Sequence, residues 1–120
     1  MFDHIGVFVH DLTKSARFYE AALAPLGHVV GSRDESSVSL GPPGRAALFL
    51  YQGKDVKTGT HVALAAKDRA AVARFHEQGL RAGGKDNGAP GLRADYGPNY
   101  YAAFLLDPDG NNLEAVCFTE

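Results

Sequence analysis

Three residues in this sequence have the donor types of a divalent-metal site. His4 and His61 each open a strand-like run, and Glu114 lies inside the apolar stretch Leu113–Val116. Two neutral imidazoles and one carboxylate form a ligand set with open positions, compatible with catalytic zinc or with a non-haem iron centre. Glu114 adds to the signal, because a buried lone charge is expensive unless it is paired or metal-bound. The competing account is a scaffold without the ion, in which Glu114 pairs with an arginine or a histidine.

What would bring the two histidines to one cleft is an internal repeat. A shift of 57 positions lays HIGVFVHDLTKSARFYEAALAPLGH, from His4, over HVALAAKDRAAVARFHEQGLRAGGK, from His61, without a gap. In each copy an alternating run, 4–9 or 61–66, reads as a strand, and Asp11 or Asp68 follows in position to cap a helix. Leu12, Ala16, Tyr19 and Leu23, then Val72, Phe75 and Leu80, recur at helical spacing. Gly27 and Gly84 are expected to leave the helices in left-handed conformation.

Further strands are expected at 28–32, 37–40 and 46–52 in the first copy, and at 100–106 and 112–118 in the second. The last two are joined by Asp107-Pro-Asp-Gly-Asn, a hairpin signal. Asn87-Gly-Ala-Pro-Gly and Tyr96-Gly-Pro-Asn read as turns of an extended loop. The fold expected is α+β: two β-α-β-β-β modules, about 1–56 and 57–120, forming a curved mixed sheet in a single domain over 1–120. The two sheets would join edge to edge or by exchange with a second chain, since one half alone buries too little surface.

Strand alternation turns Ile5, Val7 and Val9 toward the helix and leaves His4, Gly6 and Phe8 on the other face. Val62 and Leu64 likewise face the helix while His61, Ala63 and Ala65 face away. Aligning ALFLY at 47–51 with NLEAV at 112–116 sets Phe49 where the second copy has Glu114.

Composition narrows the partners. A chain of 120 residues with formal net charge -2 and scattered Lys and Arg offers no nucleic-acid or anionic-membrane surface, so a small molecule is the expected partner. No uncharged apolar run is long enough to span a bilayer. The start, Met1-Phe2-Asp3-His4, lacks a basic segment followed by an apolar stretch, and a cytoplasmic location is expected. The single cysteine, Cys117, reads as a buried, inert thiol.

DHIGVFVHDLTKSARFYEAAL at 3–23, THVALAAKD at 60–68 and FLLDPDGNNLEAV at 104–116 together resemble the vicinal oxygen chelate superfamily, which contains glyoxalase I, extradiol dioxygenases and the fosfomycin and bleomycin resistance proteins. The resemblance implies paired modules, commonly in a homodimer, with a divalent ion (Zn, Ni, Co, Mn or Fe) in a cleft lined by the sheet. It implies His4, His61 and Glu114 as metal ligands. Glyoxalase-type isomerases carry a fourth, carboxylate ligand where this chain has Phe49, so the three-ligand set is more similar to that of the extradiol dioxygenases.

Around this centre, Glu114 and Tyr101 are the catalytic candidates, and Phe49, Arg93, Tyr96 and Tyr100 the substrate-binding ones. A plainer account has the tyrosines packing the sheet and Arg93 solvated. His76 reads as a helix-surface residue, and Arg17 and Arg74 as members of helix-surface ion pairs. The function expected is a metal-dependent enzyme of the glyoxalase or dioxygenase type, a lyase, isomerase or dioxygenase acting on a vicinal-oxygen substrate. The alternative is a metal-free drug-binding protein of the bleomycin-resistance kind, which the near-neutral charge disfavours for a cationic drug.

Overall fold

Alternating apolar residues and two aspartate caps produce the same unit twice. The computed structural model describes residues 1–119. The first unit contains β1 (Ile5–Val9), α1 (Leu12–Leu23), β2 (Val29–Arg33), β3 (Ser37–Gly41) and β4 (Leu48–Gln52). The second contains β5 (His61–Ala65), α2 (Arg69–Arg81), β6 (Lys85–Leu92), β7 (Tyr101–Leu106) and β8 (Asn112–Cys117). The Asp11 side chain accepts from Lys14 N at 3.1 Å and that of Asp68 from Ala71 N at 2.8 Å, so both helices start where expected.

The strands form two four-stranded mixed sheets, ordered β1-β4-β3-β2 and β5-β8-β7-β6. In each, the first and last strands of the unit pair in parallel and the other pairs are antiparallel. The modules meet through α1 and α2, and among the described residues the two sheets do not join edge to edge. Val9, Phe18, Leu23 and Leu50 of the first unit and Val72, Phe75, Leu105 and Leu113 of the second belong to one buried core. Cys117 is a free, buried thiol, as expected. Among the described residues no helix is long and apolar enough to cross a membrane.

The helix contact corrects two expectations. Leu80 is 39% exposed, and the buried face of α2 is Ala71, Val72, Phe75 and Gly79. A Cβ at Gly79 would stand 2.3 Å from Leu105 Cδ1 and 3.3 Å from Ala22 Cβ, so glycine there permits the close approach of the second helix to its neighbours. Gly27 has φ +89 as expected, whereas in the second copy the left-handed residue is Gly83 (φ +102). Gly84 instead lies against Phe18, whose Cε1 a Cβ would approach to 2.3 Å.

The first part of the segment read as a turn-rich loop, through Leu92, belongs to β6. It pairs with β7 through register shifts on either side of Gly88, and as an edge strand it tolerates Pro90. His76 is not a plain surface residue: its side chain is 12% exposed and Nε2 lies 2.9 Å from Asp86 Oδ1. The helix ion pair is Arg81 with Glu77, and Glu20 pairs with Arg33; Arg17 and Arg74 make none among the described residues.

A buried polar contact ties the units together. Tyr19 on α1 donates to Asp107 Oδ2 at 2.5 Å. Asp107 also accepts from the N–H groups of Asp109 and Asn111 and from the Asn111 amide, which closes the turn before β8. Burial, then the adjacent Asp107 charge, pushes the Tyr19 hydroxyl well above the ordinary phenol range.

Candidate metal centre

The parallel pairing of β5 with β8 sets His61 opposite Asn112 and Ala63 opposite Glu114. Alternation then points His61, Ala63, Asn112 and Glu114 to the face away from the helix, and His61 Nε2 stands 3.0 Å from Glu114 Oε1. The Glu114 side chain is 3% exposed. Its other oxygen, Oε2, accepts a short hydrogen bond from the Tyr100 hydroxyl. That bond, aided by burial and by the Glu114 charge, raises the Tyr100 phenol to about 12.

The first unit repeats this register with one change. Gly6 is opposite Phe49, as Ala63 is opposite Glu114, and His4 meets Phe49 edge-on with ring centroids 5.4 Å apart. The alignment of Phe49 with Glu114 is therefore structural. His4 Nδ1 lies 2.7 Å from Asp3 Oδ1. That hydrogen bond and the imidazole charge hold the Asp3 carboxyl below its usual range. Phe49 stacks on Tyr51, which contacts Phe8, so an aromatic row continues from His4 across the sheet.

The structure thus brings together two of the three expected ligands. His61 and Glu114 form a pair in the second unit and His4 belongs to the first; among the described residues no three His, Cys, Asp or Glu side chains form a metal cage. The pair itself fits an ion in chemistry, with an imidazole nitrogen and a nearly buried carboxylate oxygen side by side. It also matches the ion-free account, in which a histidine is the partner of Glu114.

Tyr101 requires a correction. It packs against the buried core with Arg69 Cζ 4.9 Å from its ring centre, on the strand face opposite Phe104. The hydroxyl that reaches Glu114 belongs to its neighbour, Tyr100. Tyr96 is exposed and contacts Tyr100 edge-on. Arg93 is not simply solvated, since its guanidinium lies over the Phe104 ring and binds two backbone carbonyls.

Three neighbours of the pair escape sequence reasoning. Phe104 lies opposite Glu114 in the β7–β8 hairpin and stacks on His61 at 6.5 Å. Counting back from the Asp107–Asn111 turn would have found it. Asn87 and Asn112 border, with Phe104, Arg93 and Tyr96, a cavity of about 300 Å³; Asn87 reads from sequence as a turn residue because β6 does not show there. A larger concavity of about 490 Å³ lies beside β2, β3 and residues 42–46 and touches none of the candidate residues.

The sequence matches the Glyoxalase/Bleomycin resistance protein/Dioxygenase superfamily over residues 1–115. No curated protein matches it. Among solved structures, a glyoxalase/bleomycin resistance protein from Albidiferax ferrireducens T118 is 30% identical, with TM-score 0.84 over 97% of each chain. Two others share the fold. A glyoxalase-related enzyme from Fulvimarina pelagi is 23% identical, with TM-score 0.73 over 97% of this chain and 86% of that one. A glyoxalase/bleomycin resistance protein/dioxygenase family enzyme from Burkholderia phytofirmans PsJN is 17% identical, with TM-score 0.75 over 98% of each chain.

Proposed function

Because the chain belongs to the Glyoxalase/Bleomycin resistance protein/Dioxygenase superfamily, we propose that it is a divalent-metal-dependent enzyme acting on a small molecule with vicinal oxygens, and that its site is built from two copies of the chain. His61 and Glu114 of one copy and His4 of the other would hold the ion. The observation that carries this reading is the His61–Glu114 pair, a nearly buried carboxylate 3.0 Å from an imidazole nitrogen on the open face of a sheet.

The second copy is called for by the first sheet. Its open face presents Phe8, 60% exposed, in contact with Tyr51 and through it with Phe49, an apolar surface of the kind that marks an interface. Asp3 engages Nδ1 of His4 and leaves Nε2 as the donor, an arrangement that orients metal-binding histidines. Setting this face against the open face of a partner's second sheet would cover the aromatic row and deliver His4 to the pair.

Within such a site, Tyr100 fixes the Glu114 carboxylate through Oε2. With its phenol raised to about 12 it stays protonated at neutral pH and remains a donor. Glu114 would serve as the base, and Phe104, with Phe49 of the other copy, would supply apolar walls that limit water. A bound ion would supply Lewis acidity toward the substrate's two oxygens. Lyase, isomerase and dioxygenase outcomes share that requirement.

One observation favours a second reading. Both oxygens of Glu114 already have protein partners, His61 and Tyr100, as a metal-free small-molecule-binding protein would require. Elemental analysis of protein purified without added metal, followed by titration with Mn, Fe, Co, Ni and Zn, separates the two. The enzyme reading predicts uptake that is lost in His61→Ala; no uptake of any of the five ions supports the binding protein.

A further inference from the structure

The cavity beside the His61–Glu114 pair is lined by Asn87, Gly88, Arg93, Tyr96, Phe104 and Asn112, and Arg93 carries the one full charge among them. Its guanidinium is held on several sides. One terminal nitrogen, Nη1, donates to Gly91 O at 2.9 Å and the other, Nη2, to Ala89 O at 2.7 Å. Cζ lies 5.3 Å from the centre of the Phe104 ring. Gly88 and Gly91 make room for it, since a Cβ on either would stand 3.2 Å from a guanidinium nitrogen.

These partners orient the group without neutralising it. Carbonyls and a ring face carry no full charge, and among the described residues the arginine ion pairs are Arg33–Glu20 and Arg81–Glu77. A guanidinium has five N–H donors, of which the two carbonyls engage two. Asn87 Nδ2 donates to Asn112 Oδ1 at 3.3 Å, which leaves the Asn112 amide NH2 as a further donor at the same cavity.

We infer that Arg93, with the Asn112 amide, is a subsite for a compact anionic group, a carboxylate carried by a small planar substrate whose oxygen-bearing end reaches His61 and Glu114. The inference rests on the reading of this cleft as a small-molecule site. Arg93 is tied to the pair: its backbone N–H donates to Tyr100 O at 2.8 Å, and the Tyr100 hydroxyl binds Glu114. The charged anchor and the reacting end are therefore held in fixed relation. Phe104, stacked on His61 and beneath Arg93, gives a flat body a surface along the way. A fork that pairs bidentately with carboxylate selects by geometry as well as by charge, and it repels a cationic ligand.

Benzoate and benzamide, nearly equal in shape and different in charge, are the probes, titrated by NMR into EDTA-treated protein so that no metal contributes. Benzoate is expected to bind about tenfold more tightly than benzamide, with shifts at the amides of Asn87, Arg93, Phe104 and Asn112. Arg93→Gln should abolish the preference. Asn87→Asp places a negative charge at the rim of the cavity and removes the donor that holds Asn112 Oδ1, and should weaken benzoate about fivefold. Equal binding of the two probes, shifts elsewhere on the protein, no detectable benzoate binding, or a preference that survives Arg93→Gln would overturn the inference. Metal uptake is read separately, so the anion subsite can stand where the metal reading falls, and the reverse.

Discussion

Glu114 Oε1 lies 3.0 Å from His61 Nε2 across the β5–β8 register, and the same two positions in the first unit hold Phe49 and His4. The halves of the repeat thus differ at one decisive side chain, a carboxylate in one and a phenyl ring in the other. Whatever this cleft binds must be served by a single repeat carboxylate. Glu114→Gln keeps the shape and can still accept from Tyr100. It should leave unfolding free energy within about 1 kcal/mol of the parent and lower metal affinity roughly a hundredfold or more. Competition for zinc with a chelating dye measures this; unchanged affinity would remove Glu114 from the ligand set.

The Tyr19–Asp107 hydrogen bond joins α1 of the first unit to the turn that precedes β8. Tyr19→Phe deletes the buried donor and leaves the carboxylate with its backbone and Asn111 partners. A loss of about 1–3 kcal/mol is expected in urea unfolding, with secondary structure retained. A loss within experimental error would show that the turn holds the units without this bond.

Gly79→Ala sets two effects against each other. In a helix interior alanine is favoured by about 1 kcal/mol, but its methyl would meet Leu105 Cδ1 at 2.3 Å, and overpacking a core costs about 1–3 kcal/mol. The clash with β7 of its own unit should win, so the melting temperature should fall. A rise would mean that Leu105 moves aside freely.

His28 supplies a pH dependence. Its Nδ1 is buried without a hydrogen-bond partner beside Leu23, Leu40, Leu48 and Leu64, and burial holds the imidazole below its usual range. The unfolded chain then takes up a proton more readily than the folded one as pH falls below about 6.5. The stability present above that pH is lost progressively as acid approaches the depressed value. Melting curves from pH 7.5 to 5 should show the parent losing ground relative to His28→Leu; parallel curves for the two would refute it.

The sequence revealed the architecture well where local signals and the repeat agreed. Asp11 and Asp68 cap their helices, and the offset that aligns His4 with His61 and Phe49 with Glu114 reappears as strand register. It failed where tertiary packing overrode local preference. Strand β6 is hidden by Gly88, Pro90 and Gly91, whose turn-forming character is absorbed by register shifts at a sheet edge. Sequence reasoning gives Tyr101 the catalytic role and Tyr100 a substrate-binding one, whereas strand alternation turns Tyr101 to the core and Tyr100 to the face of Phe104 and Glu114. The relation between the sheets could not be read at all, since helix packing through Gly79 and Gly84 decides it.

The shared site is tested most directly by complementation. His4→Ala and His61→Ala chains, carrying different tags, are co-expressed, and the mixed dimer is isolated for metal analysis. If His4 of one copy completes the His61–Glu114 pair of another, each parent variant binds metal poorly, while the mixed dimer regains one intact site and holds one ion per dimer. A mixed dimer with no more metal than either parent, or a monomeric protein that binds the ion in full, would contradict the account.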